Sequence, residues 1–334
     1  MKLKVPIYGR LLFNITISRT MSGDQNINQL PVVDIGQLGL DHKSEPTDEE
    51  LLRVGKELSE AFQDFGFAYL KGLGSLLDQV DRVEKTGSTF FAFPRGDKER
   101  YHLDVDKKEG YMAIDEQRLD YEYSHELHES YDIIRKGGVF PNDLVPDFKP
   151  AAENLLDALK IFTERILTAI ALGLEIDKNA IANIHKHIAS EKGLTNLRLL
   201  HYPPVPQHLL QKSTRFGAHT DWGTITFIFQ DEVGGLEVFL RDGTWVSAVP
   251  IPETALVLVG DMLELQTSNK FRALKHRVVI PAEDSLKIRS RRSTTFFVMP
   301  DKQVQVKTLW GSAEIEPVSV EELFSKKLKG TLKY

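Results

Sequence analysis

Two hydrophobic rhythms divide the chain. From residue 47 to about 190, apolar positions recur every three or four residues, as on helices with one buried face. Past residue 194 they alternate, or run in short blocks bounded by turn residues, as in strands. Thr47 followed by Asp48, Glu49 and Glu50 reads as the start of a helix, with acids in its first turn. Leu51, Val54, Leu58, Ala61, Phe62 and Phe65 form its stripe. Residues 30–35 and 65–70 read as short strands on either side. A second helix is expected over 75–92, ending before Pro94. A third spans 148–173, with Leu155, Leu159, Phe162, Ile166 and Ile170 in line, and a shorter one spans 178–189.

Residues 94–146 show neither rhythm. They hold Tyr101, Tyr111, Tyr121, Tyr123 and Tyr131, punctuated by Gly110 and Gly137-Gly138, and read as a lid or binding loop. Candidate strands follow at 196–202, 214–219, 224–230, 235–240, 244–249, 255–260, 273–280 and 292–299. Their turns carry Gly234-Gly235, Asp242-Gly243, Pro250, Pro252 and Pro281. Short, evenly spaced strands of this kind predict a mainly β fold with flanking helices, built on a double-sheet jelly roll of cupin type, the double-stranded β-helix.

Composition excludes several classes. The 334 residues contain no cysteine, which removes disulfides, zinc–thiolate sites, iron–sulfur clusters and a cysteine nucleophile. A net charge of −6 without a Lys/Arg run argues against nucleic acid as a partner. No apolar stretch is long enough for a membrane helix. Lys2, Lys4, Arg10 and Arg19 precede the first acid, Asp24. Residues 1–29 read as an untargeted extension of a cytoplasmic protein, with organelle targeting through residues 1–23 as the alternative. Gly72-Leu73-Gly74 lacks the third glycine of a dinucleotide-binding turn.

Candidate chemistry gathers at three residues. His219 and Asp221 are two apart, so on a strand end both point to one side, and His276 comes from a separate predicted strand. Two imidazoles and one carboxylate form a facial triad that leaves open positions on iron(II). Zinc also accepts such a set, and a lone His-x-Asp is more often structural. His42, His102, His125, His128, His185, His187 and His208 have no comparable partners and are expected in surface or local structural roles. Arg291 and Ser293 share one face of the last strand and form a two-point clamp for a carboxylate. The competing reading is a basic edge strand, and Arg289 and Arg292 leave room for a register slip. Tyr202 is either a third arm of that clamp or a core tyrosine.

From residue 30 to 300 the chain resembles the iron(II)/2-oxoglutarate-dependent dioxygenases of the isopenicillin N synthase-like group. The matching segments are Leu30–Ile35, Gly66–Leu70, Leu197–Pro204, His219–Thr226, Gly234–Val238, Gly260–Leu263, His276–Val278 and Arg291–Phe297. The resemblance implies iron bound by His219, Asp221 and His276. It implies 2-oxoglutarate held through its distal carboxylate by Arg291 and Ser293, with Tyr202 in contact, and ascorbate as reductant. It also implies oxidation of a small organic molecule with O2, by hydroxylation, desaturation or cyclisation; a monomer is the default expectation. The catalytic domain is then 30–334: a helical region (30–190) with lid 94–146, a core (194–300) and a C-terminal tail (301–334). Leu200 stands where many members carry asparagine, and Gln266 where an aromatic is common. Fifteen positions from His276 to Arg291 imply an extra hairpin from Pro281 to Ser290. Phe227, Phe229, Leu236, Val238 and Phe297 are candidates for the apolar wall. Two alternatives remain: an oxidase that uses no 2-oxoglutarate, with Arg291 and Ser293 holding the substrate's carboxylate, and a binder without activity.

Overall fold

The computed structural model describes residues 30–334 apart from 43, 121, 312–315 and 332–334. The possible targeting segment 1–23 and Tyr121 therefore lie outside the described residues. The elements in order are β1 (Val32–Asp34), α1 (Asp48–Asp64), β2 (Phe67–Lys71), α2 (Ser75–Phe91), α3 (Arg95–Glu99), β3 (Gly110–Met112), β4 (His125–Glu126), β5 (Glu129–Ile133) and α4 (Phe148–Gly173). Then come β6 (Asn196–Tyr202), β7 (Ser213–Thr214), β8 (Phe216–His219), β9 (Ile225–Gln230), β10 (Leu236–Phe239), β11 (Trp245–Ser247) and β12 (Thr254–Val259). They are followed by α5 (Asp261–Gln266), β13 (His276–Val278), α6 (Asp284–Lys287), β14 (Arg291–Val298), β15 (Gln305–Val306), β16 (Val318–Ser319) and α7 (Val320–Thr331).

The strands form a major sheet in the order β1-β2-β12-β9-β14-β6-β5-β3 and a minor one in the order β11-β10-β13-β8. This is the expected jelly-roll core with flanking helices. β9 and β12 are buried almost throughout, because helices cover one side of the major sheet. Burying both sides of a strand favours unbroken apolar runs over alternation. Thr47 caps α1 by accepting a hydrogen bond from the Glu50 amide at 3.2 Å. The stripe of α4 is fully buried from Leu155 to Ile170, and Phe162 packs on Phe227 of β9 at 5.1 Å between ring centres. Each such side chain contributes about 1.5–3 kcal/mol of burial. α1 and α4 cross where Gly55 meets Gly173. A methyl group on Gly55 would sit 1.9 Å from the Ala169 carbonyl oxygen, so the helices approach closer than any side chain permits.

Three expectations are corrected. The 94–146 stretch is not a plain loop: β3 and β5 extend the major sheet, and every residue of both is buried. Its polar strand residues hid it, since Glu129 is paired with Lys98 (2.7 Å), Tyr111 (2.6 Å) and His201 (2.8 Å). Residues 178–189 form only the single turn Ala182–Ile184, not a helix. The insertion before Arg291 carries the helical turn α6 instead of a hairpin. The segment after 300 packs on the body of the fold: Val306, Val320, Phe324 and Leu328 share a core with Leu194, Met262 and Met299.

Candidate metal centre and active site

β8 and β13 pair antiparallel, with His219 opposite His276 but Phe216 opposite Val278. One extra residue in β8 is absorbed as a bulge, a device that re-aims side chains next to functional sites. It brings the two imidazoles together at 4.3 Å between ring centres. Asp221 lies just past the end of β8. Its backbone oxygen accepts from the Asp261 amide at 2.8 Å, and Gly223 and Gly260 touch backbone to backbone beneath it. Asp221 Oδ1 is 3.5 Å from His219 Nε2 and 3.8 Å from His276 Nε2. One ligand atom from each of the three residues lies within 4.8 Å of the others.

Tautomers are set by the backbone. His219 Nδ1 meets the Gly217 carbonyl at 2.8 Å and His276 Nδ1 meets the Leu274 carbonyl at 3.0 Å. A carbonyl only accepts, so each Nδ1 carries the proton and each Nε2 turns a lone pair towards Asp221. Burial works against ionisation of Asp221, but the imidazoles beside it, His276 first, hold its carboxyl down at about 2. Burial and then His219 push His276 down to about 4. At neutral pH these two residues are thus an anion and a neutral imidazole, the forms that ligate a metal. Asp221 Oδ2 is buried without any partner. Such an orphan costs about 1–3 kcal/mol unless something fills it, and a cation held between the three side chains would do so.

The second constellation is β14. Arg291 lies directly opposite Tyr202 on β6, and its guanidinium carbon is 4.7 Å from the centre of the Tyr202 ring. Arg291, Ser293 and Tyr202 are all buried, whereas Arg292 reaches Ser88 and Arg289 pairs with Glu232 on the surface. The register therefore singles out Arg291 and Ser293, and the edge-strand reading falls because β14 lies between β9 and β6. Arg291 Nε donates to the Gly234 carbonyl at 2.8 Å and Nη2 to Gln230 Oε1 at 3.3 Å, while Nη1 has no partner. A buried guanidinium without a carboxylate is incomplete, which fits an acid arriving from outside the chain.

A cleft with room for about 60 Å³ of water opens beside His219 and Asp221. Its apolar wall comes from Phe216, Trp222, Phe297, Met299, Phe324 and Leu328. Of the five wall candidates only Phe297 reaches it. Phe227 packs against helix α4 instead, because the strand alternation sends it to the other side of the sheet. Polar lining comes from Gln117, Asn196 and Arg198.

The family comparison agrees with this geometry. Residues 194–300 match the model of the 2OG-Fe(II) oxygenase superfamily, and residues 30–149 match that of the N-terminal region of non-haem dioxygenases in morphine synthesis. UPF0676 protein C1494.01 of Schizosaccharomyces pombe is 30% identical over 300 residues, covering 84% of this chain and 89% of that one. The chain belongs to the 2OG-Fe(II) oxygenase superfamily. The 2-oxoglutarate-dependent dioxygenase htyE of Aspergillus rugulosus is 29% identical, covering 78% of this oxygenase and 85% of its own chain. Among solved structures, a full-length Neurospora crassa protein in complex with alpha-KG superposes with a TM-score of 0.79 at 26% identity, covering 90% of this chain and 96% of that one. The same protein has been solved with thymine (TM-score 0.77, 26% identity) and with 5-formyluracil (TM-score 0.77, 28% identity), over the same 90% and 96%. This oxygenase is thus an iron(II)- and 2-oxoglutarate-dependent enzyme, and the inactive-binder alternative is set aside.

Sequence reasoning missed part of the site. His128 is buried, its Nδ1 donating to the Arg215 carbonyl at 3.0 Å, with its ring against Phe216. His185 is buried between the Ile181 carbonyl and the Thr224 hydroxyl, both at 2.8 Å. Both roles are structural and local, though neither residue is on the surface. Arg198 escapes sequence reasoning too, because a lone arginine inside a strand carries no signal until its partners are known.

Proposed function

We propose that His219, Asp221 and His276 hold the iron, that Arg291, Ser293 and Tyr202 receive the distal carboxylate of 2-oxoglutarate, and that the substrate is a flat, neutral, hydrogen-bonding molecule such as a cyclic amide. The convergence of three ligand atoms, with His219 and Asp221 lining the cleft, carries the metal assignment. Bound iron(II) supplies oxygen activation coupled to conversion of 2-oxoglutarate into succinate and carbon dioxide. The chain's own residues orient and shield. Gly217 and Leu274 fix the imidazoles, and Asp221 offers an anion that burial keeps away from bulk water. Phe216, Trp222, Phe297, Phe324 and Leu328 give the substrate a dry surround, where the reactive centre meets a C–H bond and not solvent.

Arg198 supports the substrate class. Asp132 binds it bidentately at 2.6 and 2.8 Å, and Gln117 Oε1 accepts from its Nη1 at 3.1 Å. Its charge is therefore neutralised within the protein, while its guanidinium carbon lies 5.5 Å from the centre of the Phe297 ring. A wall of this kind offers hydrogen bonds and a stacking face without net charge, which suits a neutral ring better than an acid. The thymine and 5-formyluracil complexes of the similar Neurospora crassa protein point the same way. Succinate release with iron(II), ascorbate and 2-oxoglutarate, across pyrimidine bases, other cyclic amides and carboxylic acids, tests the reading. Turnover of a cyclic amide is expected; turnover confined to acids refutes this substrate class. Titrating 2-oxoglutarate into the anaerobic iron-loaded protein separates the oxygenase from an oxidase that uses none.

One chain supplies every residue of the site, which supports action as a monomer; gel filtration at working concentration checks it. The need for ferrous iron favours a reducing compartment and so a cytoplasmic place, tested by fractionating cells that express the tagged chain. No described helix is long and apolar enough to cross a membrane.

A further inference from the structure

A second arginine stands beside the clamp. Arg215, the residue before β8, is fully buried and is among the largest side chains in the molecule with no exposure. Its Nη2 donates to the Arg289 carbonyl at 3.0 Å, on the segment that leads into Arg291. Its Nε and Nη1 have no partner. Among the described residues, neither Arg215 nor Arg291 has a carboxylate within ion-pair distance. Asp231, the acid nearest in charge to Arg215, is already engaged by the Arg292 amide at 2.7 Å and the Val233 amide at 3.1 Å. The two guanidiniums are close enough to repel: burial first, then Arg291, pushes Arg215 down to about 10.

A buried cation costs several kcal/mol unless paired, and two adjacent ones cost more. A fold that needed only packing at position 215 would be served by leucine or methionine. What the pair offers is three unpartnered donor nitrogens on two cationic groups: Nε and Nη1 of Arg215 and Nη1 of Arg291. A carboxylate has two oxygens with about four acceptor sites, enough to take all three.

We propose that Arg215 is a second anion-binding guanidinium, which grips with Arg291 the carboxylate of the co-substrate that is remote from the metal. This rests on the assignment of Arg291 above. The remote acid is then held by a pair of cations, and its single negative charge offsets one of their two positive charges when the co-substrate is in place.

The test is calorimetric titration into the Mn(II)-loaded protein. The probes are 2-oxoglutarate and 2-oxopentanoate, the same 2-oxo acid chain without the second carboxylate. Arg215→Met is expected to weaken 2-oxoglutarate about 30- to 300-fold, the scale of one or two charge-assisted hydrogen bonds. It should leave 2-oxopentanoate within about threefold of the parent, because that ligand has nothing for Arg215 to hold. Arg215→Lys should fall between, keeping charge but losing the fork. The rise in melting temperature that 2-oxoglutarate gives the parent should shrink in the same order. Equal weakening of both ligands by Arg215→Met, or no weakening of either while Arg291→Met loses 2-oxoglutarate, overturns the proposal. If Arg291→Met also keeps full 2-oxoglutarate affinity, the fault lies in the clamp assignment itself. Should Arg215→Met fail to fold, Arg215→Lys carries the test: parent-like affinity for 2-oxoglutarate refutes the pairing.

Discussion

His185 links the acid stability of the protein to the loop that carries Asp221. Its Nδ1 donates to the Ile181 carbonyl and its Nε2 accepts from the Thr224 hydroxyl. Thr224 in turn exchanges backbone bonds with Val298 and Gly260 beneath the metal loop. Burial pushes His185 down to about 4, against about 6.5 in an unfolded chain. Between those values the unfolded chain binds a proton that the folded chain refuses, so stability falls as pH falls through that window. The deficit reaches about 2 kcal/mol at pH 5 and approaches about 3 kcal/mol below pH 4. Urea unfolding of chelator-treated parent and His185→Gln at pH 7.5 and pH 5 measures it. His128, His219 and His276 are common to both chains, so their contributions cancel in the comparison. The parent should lose about 2 kcal/mol more than the variant on going to pH 5. Equal losses, or a larger loss in the variant, would show that His185 is not held neutral and refute the reasoning.

Asp221→Asn keeps the volume of the side chain but removes the anion; Mn(II) affinity should drop by more than about 100-fold, beyond the cost of losing an outer partner of a metal ligand, with an unchanged far-UV spectrum. Unaltered metal affinity would dismiss the triad. Gly55→Ala drives a methyl group into the Ala169 carbonyl and should cost about 3 kcal/mol of stability by forcing α1 from α4; a melting temperature within about 2 °C of the parent would contradict that contact. Phe324→Ala, which removes a ring packed on Trp222 at 5.5 Å, should raise the ratio of succinate formed to substrate oxidised, because water reaches the cleft. An unchanged ratio would mean that α7 does not seal it.

How much was legible in the sequence follows from what each residue is asked to do. The period of three to four that predicts 148–173 gives α4 its observed bounds, since one continuous stripe is buried along it. The eight expected core strands appear because turns of glycine and proline mark their ends. His219, Asp221 and His276 were readable from spacing and converge as expected. β3 and β5 were not, because Glu129 and Asp132 look like surface residues until Lys98, Asn196 and Arg198 are seen to satisfy them. Short strands held by buried ion pairs leave no hydrophobic period to read. Arg215 was invisible for a similar reason: its burial is set by strands distant in sequence, and nothing beside it marks an anion site.

The residues proposed to hold iron and co-substrate all fall between Tyr202 and Ser293, whereas Phe324 and Leu328 enter the cleft from a helix farther along. One side of the cleft is thereby encoded apart from the proposed ligands, while Phe216 and Trp222 remain among them. A change confined to the last helix can reshape that one side while leaving the proposed ligands as they were.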